Sequence, residues 1–153
     1  MYGAVLILQS LIRWLVLLAG IVAVVRAITG WRTGRPWTLA DDRAGSRFAS
    51  VFDLQMLLGL IMYFFLSPIT KAAMQDFGGA MNNSAMRFWA VEHIFGMIVA
   101  IALTHIGRAR VRRITQDTRK HKVAAIFFTL ALLTMLASIP WPGTAAGRPL
   151  LRW

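Results

Sequence analysis

The chain has no cysteine, and its carboxylates are scarce: six Asp and Glu stand against 17 Lys and Arg in 153 residues. Without a thiol, neither a disulfide nor a thiolate-held metal can form, and cysteine usage says nothing of the redox compartment. Histidine is nearly as rare, with His93, His105 and His121 the only three. No cluster has metal-ligand spacing, no Ser-His-Asp arrangement is evident, and no Gly-rich phosphate loop occurs. Charge as a whole is thin. At 15% charged residues and 58% hydrophobic ones, with six tryptophans, the composition is not that of a soluble domain.

Long apolar runs are what the chain has instead. Four of them, at 4–28, 48–66, 88–106 and 123–139, each lie near the ~20 residues that a helix needs to cross a ~30 Å hydrocarbon core. Only helices and closed barrels satisfy their backbone in lipid, and these runs lack the alternation of barrel strands. The expectation is an all-α integral membrane four-helix bundle, a single transmembrane domain over 1–153. The first run has no basic segment ahead of it and is too long for a secretory signal.

The positive charges orient this bundle. Arg26, Arg32, Arg35, Arg43 and Arg47 flank the first connection, and Arg108, Arg110, Arg112, Arg113, Arg119, Lys120 and Lys122 fill the third. The other side holds Lys71, Arg87, Arg148 and Arg152. Such asymmetry in short loops puts the basic connections in the cytoplasm. The topology expected is up-down-up-down with both termini outside, in a bacterial plasma (inner) membrane and so periplasmic. The net charge of +11 then reflects topology and attraction to anionic headgroups rather than nucleic-acid binding.

Punctuation shapes the connections. In "TGWRTGRPWTLADDRAGSR", Asp41 and Asp42 are placed to begin a short helix by N-capping. In "SPITKAAMQDFGGAMNNSAMR", a short surface helix fits between the breaks at Ser67-Pro68 and Gly78-Gly79. "GRARVRRITQDTRKHK" reads as a solvated extension of helix three. The tail "IPWPGTAAGRPLLRW" leaves helix four through two prolines and ends on an interfacial Trp153.

Ionisable residues inside spans are costly and mark function by default. Here they are Arg13 on helix one, Asp53 on helix two, and Glu92, His93 and His105 on helix three. With a rise of about 1.5 Å per residue, Arg13 lies roughly 13 Å and Glu92 roughly 6 Å below the same boundary. Arginine snorkels, so Glu92 is the partner expected for Arg13, a pair that fixes helix one to helix three. Gln9, Ser10 and Gly20 share the face of Arg13. On helix three, Gly96, Met97, Ala100 and Thr104 follow His93 on one side. That small-residue groove serves either close helix packing or a planar cofactor. Asp53 and His105 fall at similar depth near the basic end and are expected to pair. His121, in "RKHK" at the mouth of helix four, reads as a solvated boundary histidine. His93 and His105 are roughly 18 Å apart along one helix, too far to ligate one ion or macrocycle.

Taken in order, "LQSLIRWLVLL", "DLQMLLGLIMYFFLSP", "RFWAVEHIFGMIVAIALTHIGRAR", "KHK" and "SIPWP" resemble a group of small bacterial four-helix membrane proteins commonly labelled cytochrome b. The likeness runs through nearly the whole chain. The resemblance implies histidines on all four helices and two bis-histidine b-haem sites, an outer one on helices one and three and an inner one on two and four. His93 matches the helix-three ligand and His121 the helix-four ligand. At the helix-one and helix-two positions stand Gln9 and Asp53, so each pair lacks one imidazole. What remains for haem b is reduced occupancy, none, or a five-coordinate haem on one histidine, with Met56 or Met97 as substitute ligands.

Two functions follow. One is a membrane electron carrier of b-type cytochrome character, acting between quinone and another redox partner. The other is a haem-poor or haem-free accessory subunit of a larger respiratory or photosynthetic complex, where a lone His93 or His105 serves as a pigment ligand. Neither implies catalysis by the chain alone. A third, a proton path through Asp53 and His105, rests on those two residues.

Overall fold

The structure, a computed structural model, describes residues 1–151; the interfacial position read for Trp153 and the charge of Arg152 lie outside the described residues. The described chain is all-helical. Four of its helices are long and apolar enough to cross a membrane. Helix α1 spans Tyr2–Thr33. Helix α2 spans Leu39–Ile61 and continues as a π-helical turn over Met62–Leu66. Three short helices follow, α3 at Pro68–Gln75, α4 at Phe77–Asn82 and α5 at Ser84–Arg87. A second π-helical turn, Phe88–Glu92, leads into α6, His93–Arg112, and α7 spans Asp117–Ala137.

The pattern of burial explains the bundle. Small residues face inward: Ala23, Ala27, Ala49, Ala100, Ala124 and Ala131 are buried, and they let the backbones approach closely. Large apolar residues face outward on every long helix, among them Leu15 and Leu18 on α1, Leu57 on α2, Phe95 on α6 and Leu133 on α7. An apolar belt of this kind needs a nonaqueous surrounding, since water would expose it at about 25 cal/mol per Å². Helix α1 packs along α2 and α7, α6 packs most extensively on α7, and the α2–α6 seam is the thinnest of the four. Helices α1 and α6 therefore stand across a diagonal, as do α2 and α7.

Local chemistry sets the helix ends. Helix α2 is a single element from Leu39 onward, and its N-cap is Thr38 rather than Asp41 or Asp42. Asp41 lies at the third helical position and completes a capping box, accepting from the Thr38 backbone N–H at 2.9 Å. Between Ser67 and Gly79 the surface segment is helical as α3 and the start of α4, with Ser67 capping α3 through the Thr70 N–H. The basic stretch prolongs α6 as far as Arg112. The tail folds back: the Arg148 N–H donates to the Pro140 carbonyl at 3.1 Å.

Candidate functional site

The starts of α1 and α6 and the end of α2 border one internal space of the bundle. Its walls hold Gln9 of α1, Phe52, Gln55, Met56 and Gly59 of α2, Tyr63 of the first π turn, Trp89 of the second, and His93 and Met97 of α6, in a cavity of about 70 Å³. A second hollow of about 50 Å³ shares Gln9, Gln55 and His93 and reaches Arg13, Pro140 and Arg148. Gln9 and His93, the outer pair implied by the resemblance, thus face the same space from diagonal helices.

His93 is held in one orientation. Its Nδ1 donates to the Ser138 carbonyl at 2.7 Å, and its ring lies 5.2 Å from that of Trp89. A carbonyl only accepts, so Nδ1 carries the proton and the neutral ring keeps its lone pair on Nε2. The groove that follows His93 on α6 packs against α7 and the residue that ends it. A Cβ on Gly96 would overlap the Ser138 hydroxyl, so the glycine is what lets α7 approach. Ala100 and Thr104 are buried further along α6, and Met97 is buried at the cavity wall.

Arg13 and Glu92 are not partners, contrary to the sequence expectation. Arg13 donates to the Leu150 carbonyl at 2.5 Å and to the Ser10 hydroxyl at 3.3 Å. Trp14 Nε1 donates to the same carbonyl at 3.1 Å. Glu92 binds Arg87 at 2.7 Å on the exposed face. The physical reason is topological: α1 and α6 are diagonal, while the returning tail brings a carbonyl directly to α1. Arg13 is thereby satisfied by a backbone dipole.

At the basic end the arrangement differs. His105 Nε2 donates to Asp53 Oδ1 at 2.6 Å, and both side chains are about half exposed, at 48% and 50%, on the outside of α6 and α2. Asp53 is therefore directed to His105 rather than across the bundle to His121. His121 is not a solvated boundary residue: it is fully buried. Its ring stacks at a tilt 4.9 Å from Trp37 and fits over Gly30, where a Cβ would overlap it. Its Nε2 lies 3.5 Å from the Pro36 carbonyl, and Nδ1 has no partner among the described residues. Phe48, Phe52 and Phe128 fill the space between. A histidine-pair b-haem fits neither half. The inner half offers neither a second imidazole nor open space, and the outer half offers one imidazole, with Gln9 and Met97 beside it. Among the described residues no three His, Asp or Glu side chains gather to hold a metal ion.

Beside His121 lies an anchor that sequence reading missed. Asp41 is buried and binds Arg26 at 3.0 Å and Arg35 at 2.7 Å, joining α1, the first connection and α2. That hydrogen bond raises the Arg35 pKa above its ordinary value. The signal available was "TLAD", a capping-box spacing. Gln55 was missed too, because an uncharged amide does not stand out among ionisable residues. Its spacing with Phe48, Phe52, Gly59 and Met62 marks it as inward-facing. Arg148 and Leu150 carry no local signal, since only the fold-back of the tail brings them to the site.

Comparison with protein-family models, with curated proteins and with solved structures finds no match.

Proposed function

We propose that this chain is a multi-pass protein of the bacterial plasma membrane, running up-down-up-down with both termini periplasmic. We propose further that it serves as a haem-poor accessory transmembrane subunit of a larger respiratory or photosynthetic electron-transfer complex. The orientation rests on the crowding of Arg and Lys into the first and third connections. The alternation of direction is supported by the convergence of the starts of α1 and α6, the later half of α2 and Ile139 and Pro140 just beyond α7 on one hollow. The basic end then meets anionic lipid headgroups.

One observation carries the accessory reading: the partner of His121 on α2 is turned outward. Asp53 spends its carboxylate on His105, and His121 is enclosed by Trp37 and Gly30. The reading gives the chain no catalytic activity of its own. A second reading, a working b-type electron carrier, is favoured by His93. With Nδ1 tied to a carbonyl, its Nε2 is oriented as an axial imidazole's would be.

An absorption spectrum and a pyridine haemochrome assay test both, on the wild type, Gln9→His and Asp53→His. The purified wild type is expected to show no bis-histidine haem, or at most a substoichiometric high-spin signal. Gln9→His is expected to gain low-spin haem through His93, and Asp53→His to gain none. Stoichiometric low-spin haem in the wild type overturns the accessory reading in favour of the cytochrome. Haem-free spectra in all three remove the grounds for the cytochrome likeness.

A further inference from the structure

We infer that the hollow walled by Arg13, Arg148, Gln9, Gln55 and His93 binds a phosphate group that still carries a proton. The source is inorganic phosphate or the monoester headgroup of phosphatidate. The inference goes beyond the accessory reading and needs no haem. It takes from that reading only that the chain sits in a bilayer.

Charge provides the first argument. Arg13 and Arg148 both line this hollow of about 50 Å³. Among the described residues, neither it nor the adjoining cavity of about 70 Å³ has an Asp or a Glu in its wall. Two cations without a facing carboxylate, in walls of low dielectric, favour an anion. Arg13 also has donors left for one. A guanidinium carries five N–H groups, and the bonds of Arg13 to Ser10 and to the Leu150 carbonyl both use Nη2. Its Nε and Nη1 hydrogens have no partner among the described residues. Such a planar fork matches the oxygens of a phosphate. The Arg148 guanidinium lies 3.9 Å over the Trp89 ring in the same wall.

The neutral groups narrow the anion. Gln55 is 8% exposed and so 92% buried, and its Oε1 has no hydrogen-bond partner among the described residues. His93 commits its Nδ1 hydrogen to the Ser138 carbonyl and keeps a lone pair on Nε2. Both atoms are acceptors. Sulfate, a carboxylate or a phosphodiester brings only acceptor oxygens and leaves these two atoms without a hydrogen to accept. A phosphate monoester titrates at about pH 6, so near neutrality part of it still has a proton to donate. The amide nitrogens of Gln9 and Gln55 add neutral donors beside the arginines. The mixture of donors and acceptors is what separates a protonated phosphate from other anions.

Size and access agree with this ligand. A water needs ~10–15 Å³ of such space, so the hollow of about 50 Å³ holds roughly four, one for each oxygen of a tetrahedral anion. Trp89 and Arg148 also border a wider hollow of about 520 Å³, with Tyr2, Asn83 and Gly147 around it. Asn83 and Gly147 are exposed, which puts that hollow at the molecular surface. The Arg148–Trp89 stack is thus a wall common to the surface and the site. Past it a phosphate enters from water, or a headgroup from the edge of the bilayer.

The test uses the full chain in nanodiscs of zwitterionic phosphatidylcholine, with flotation confirming insertion first. Failure to insert overturns the membrane reading and this inference with it. An inserted protein that ignores phosphate, free and lipid-borne alike, overturns this inference alone. Inorganic phosphate is titrated near neutral pH at constant ionic strength, and the thermal midpoint and tryptophan emission are followed. The expected result is a saturable rise in midpoint, with sulfate about tenfold weaker because it leaves a buried acceptor unpaired. Arg13→Gln should weaken binding more than about tenfold, the weight of a charged hydrogen bond. Arg87→Gln removes a half-exposed cation that lines neither hollow and should leave binding unchanged. Gln55→Leu should weaken binding about tenfold while the ligand-free midpoint stays level or rises, and it decides the matter should Arg13→Gln not fold. A second arm compares nanodiscs containing phosphatidate with others containing phosphatidylglycerol. A midpoint raised by phosphatidate alone assigns the site to a lipid headgroup, and one raised by inorganic phosphate assigns it to the free ion; both support the proposal. Equal effects of sulfate and phosphate, of phosphatidylglycerol and phosphatidate, or of phosphate on wild type and Arg13→Gln mean unspecific attraction to positive charge and overturn it.

Discussion

His93 and His121 occupy opposite ends of one bundle under different constraints. His93 is half-buried, fixed through Nδ1 by the Ser138 carbonyl, and faces a cavity shared with Gln9 and Gln55. His121 is fully buried against Trp37 and Gly30, with aromatic rings filling the space on its inner side. Identical side chains therefore differ in availability. One keeps a lone pair open to a ligand, and the other works as a core residue with an amphipathic ring. The difference teaches that a histidine's position on a helix is a weaker guide to ligation than what its neighbours leave empty. The basic end is closed by a buried ion network and phenylalanines. The other end is covered by the returning tail and by the short helices α3 to α5.

That contrast is open to direct attack. The largest effect is expected at Asp41, whose removal leaves Arg26 and Arg35 facing a vacant buried site. Asp41→Ala should lower stability by about 3 kcal/mol, read from unfolding in detergent or nanodiscs. A loss below 1 kcal/mol would show that the basic end is not held by this network. Next comes Gly30→Ala, which forces a methyl group into the His121 ring. Overpacking of this kind costs about 1–3 kcal/mol, and His121→Ala in the same chain should recover part of it. No recovery would mean that His121 and Gly30 are not packed as described. The smallest effect belongs to the open end. Arg87 and Glu92 are about half exposed, so Glu92→Gln should change stability by less than about 1 kcal/mol. A loss of several kcal/mol there would restore Glu92 as a clamp on the bundle.

The four helices were legible because bilayer-length apolar runs have few other solutions. The inward face of small residues was legible in part, through the His93–Thr104 spacing on α6. The Asp53–His105 contact joins residues of similar depth on neighbouring helices, which is all that depth reasoning can select. Arg13 and Glu92 also share a leaflet, yet they lie on diagonal helices, and depth does not distinguish a neighbour from a diagonal. The N-cap of α2 was misplaced by three residues or more because acidic residues suit both the cap and the first turn.

The amino-acid sequence by itself determined that the chain is helical, apolar enough to span a membrane four times over, and charged chiefly in its first and third connections. Those properties follow from composition and period, which act locally along each helix. Only the tertiary structure decided that the tail returns to satisfy Arg13, that Asp53 turns away from His121, and that Gln55 Oε1 has no partner among the described residues. Each of these depends on which helices are adjacent and how closely glycines let them approach, and that is a property of packing between segments far apart in the chain.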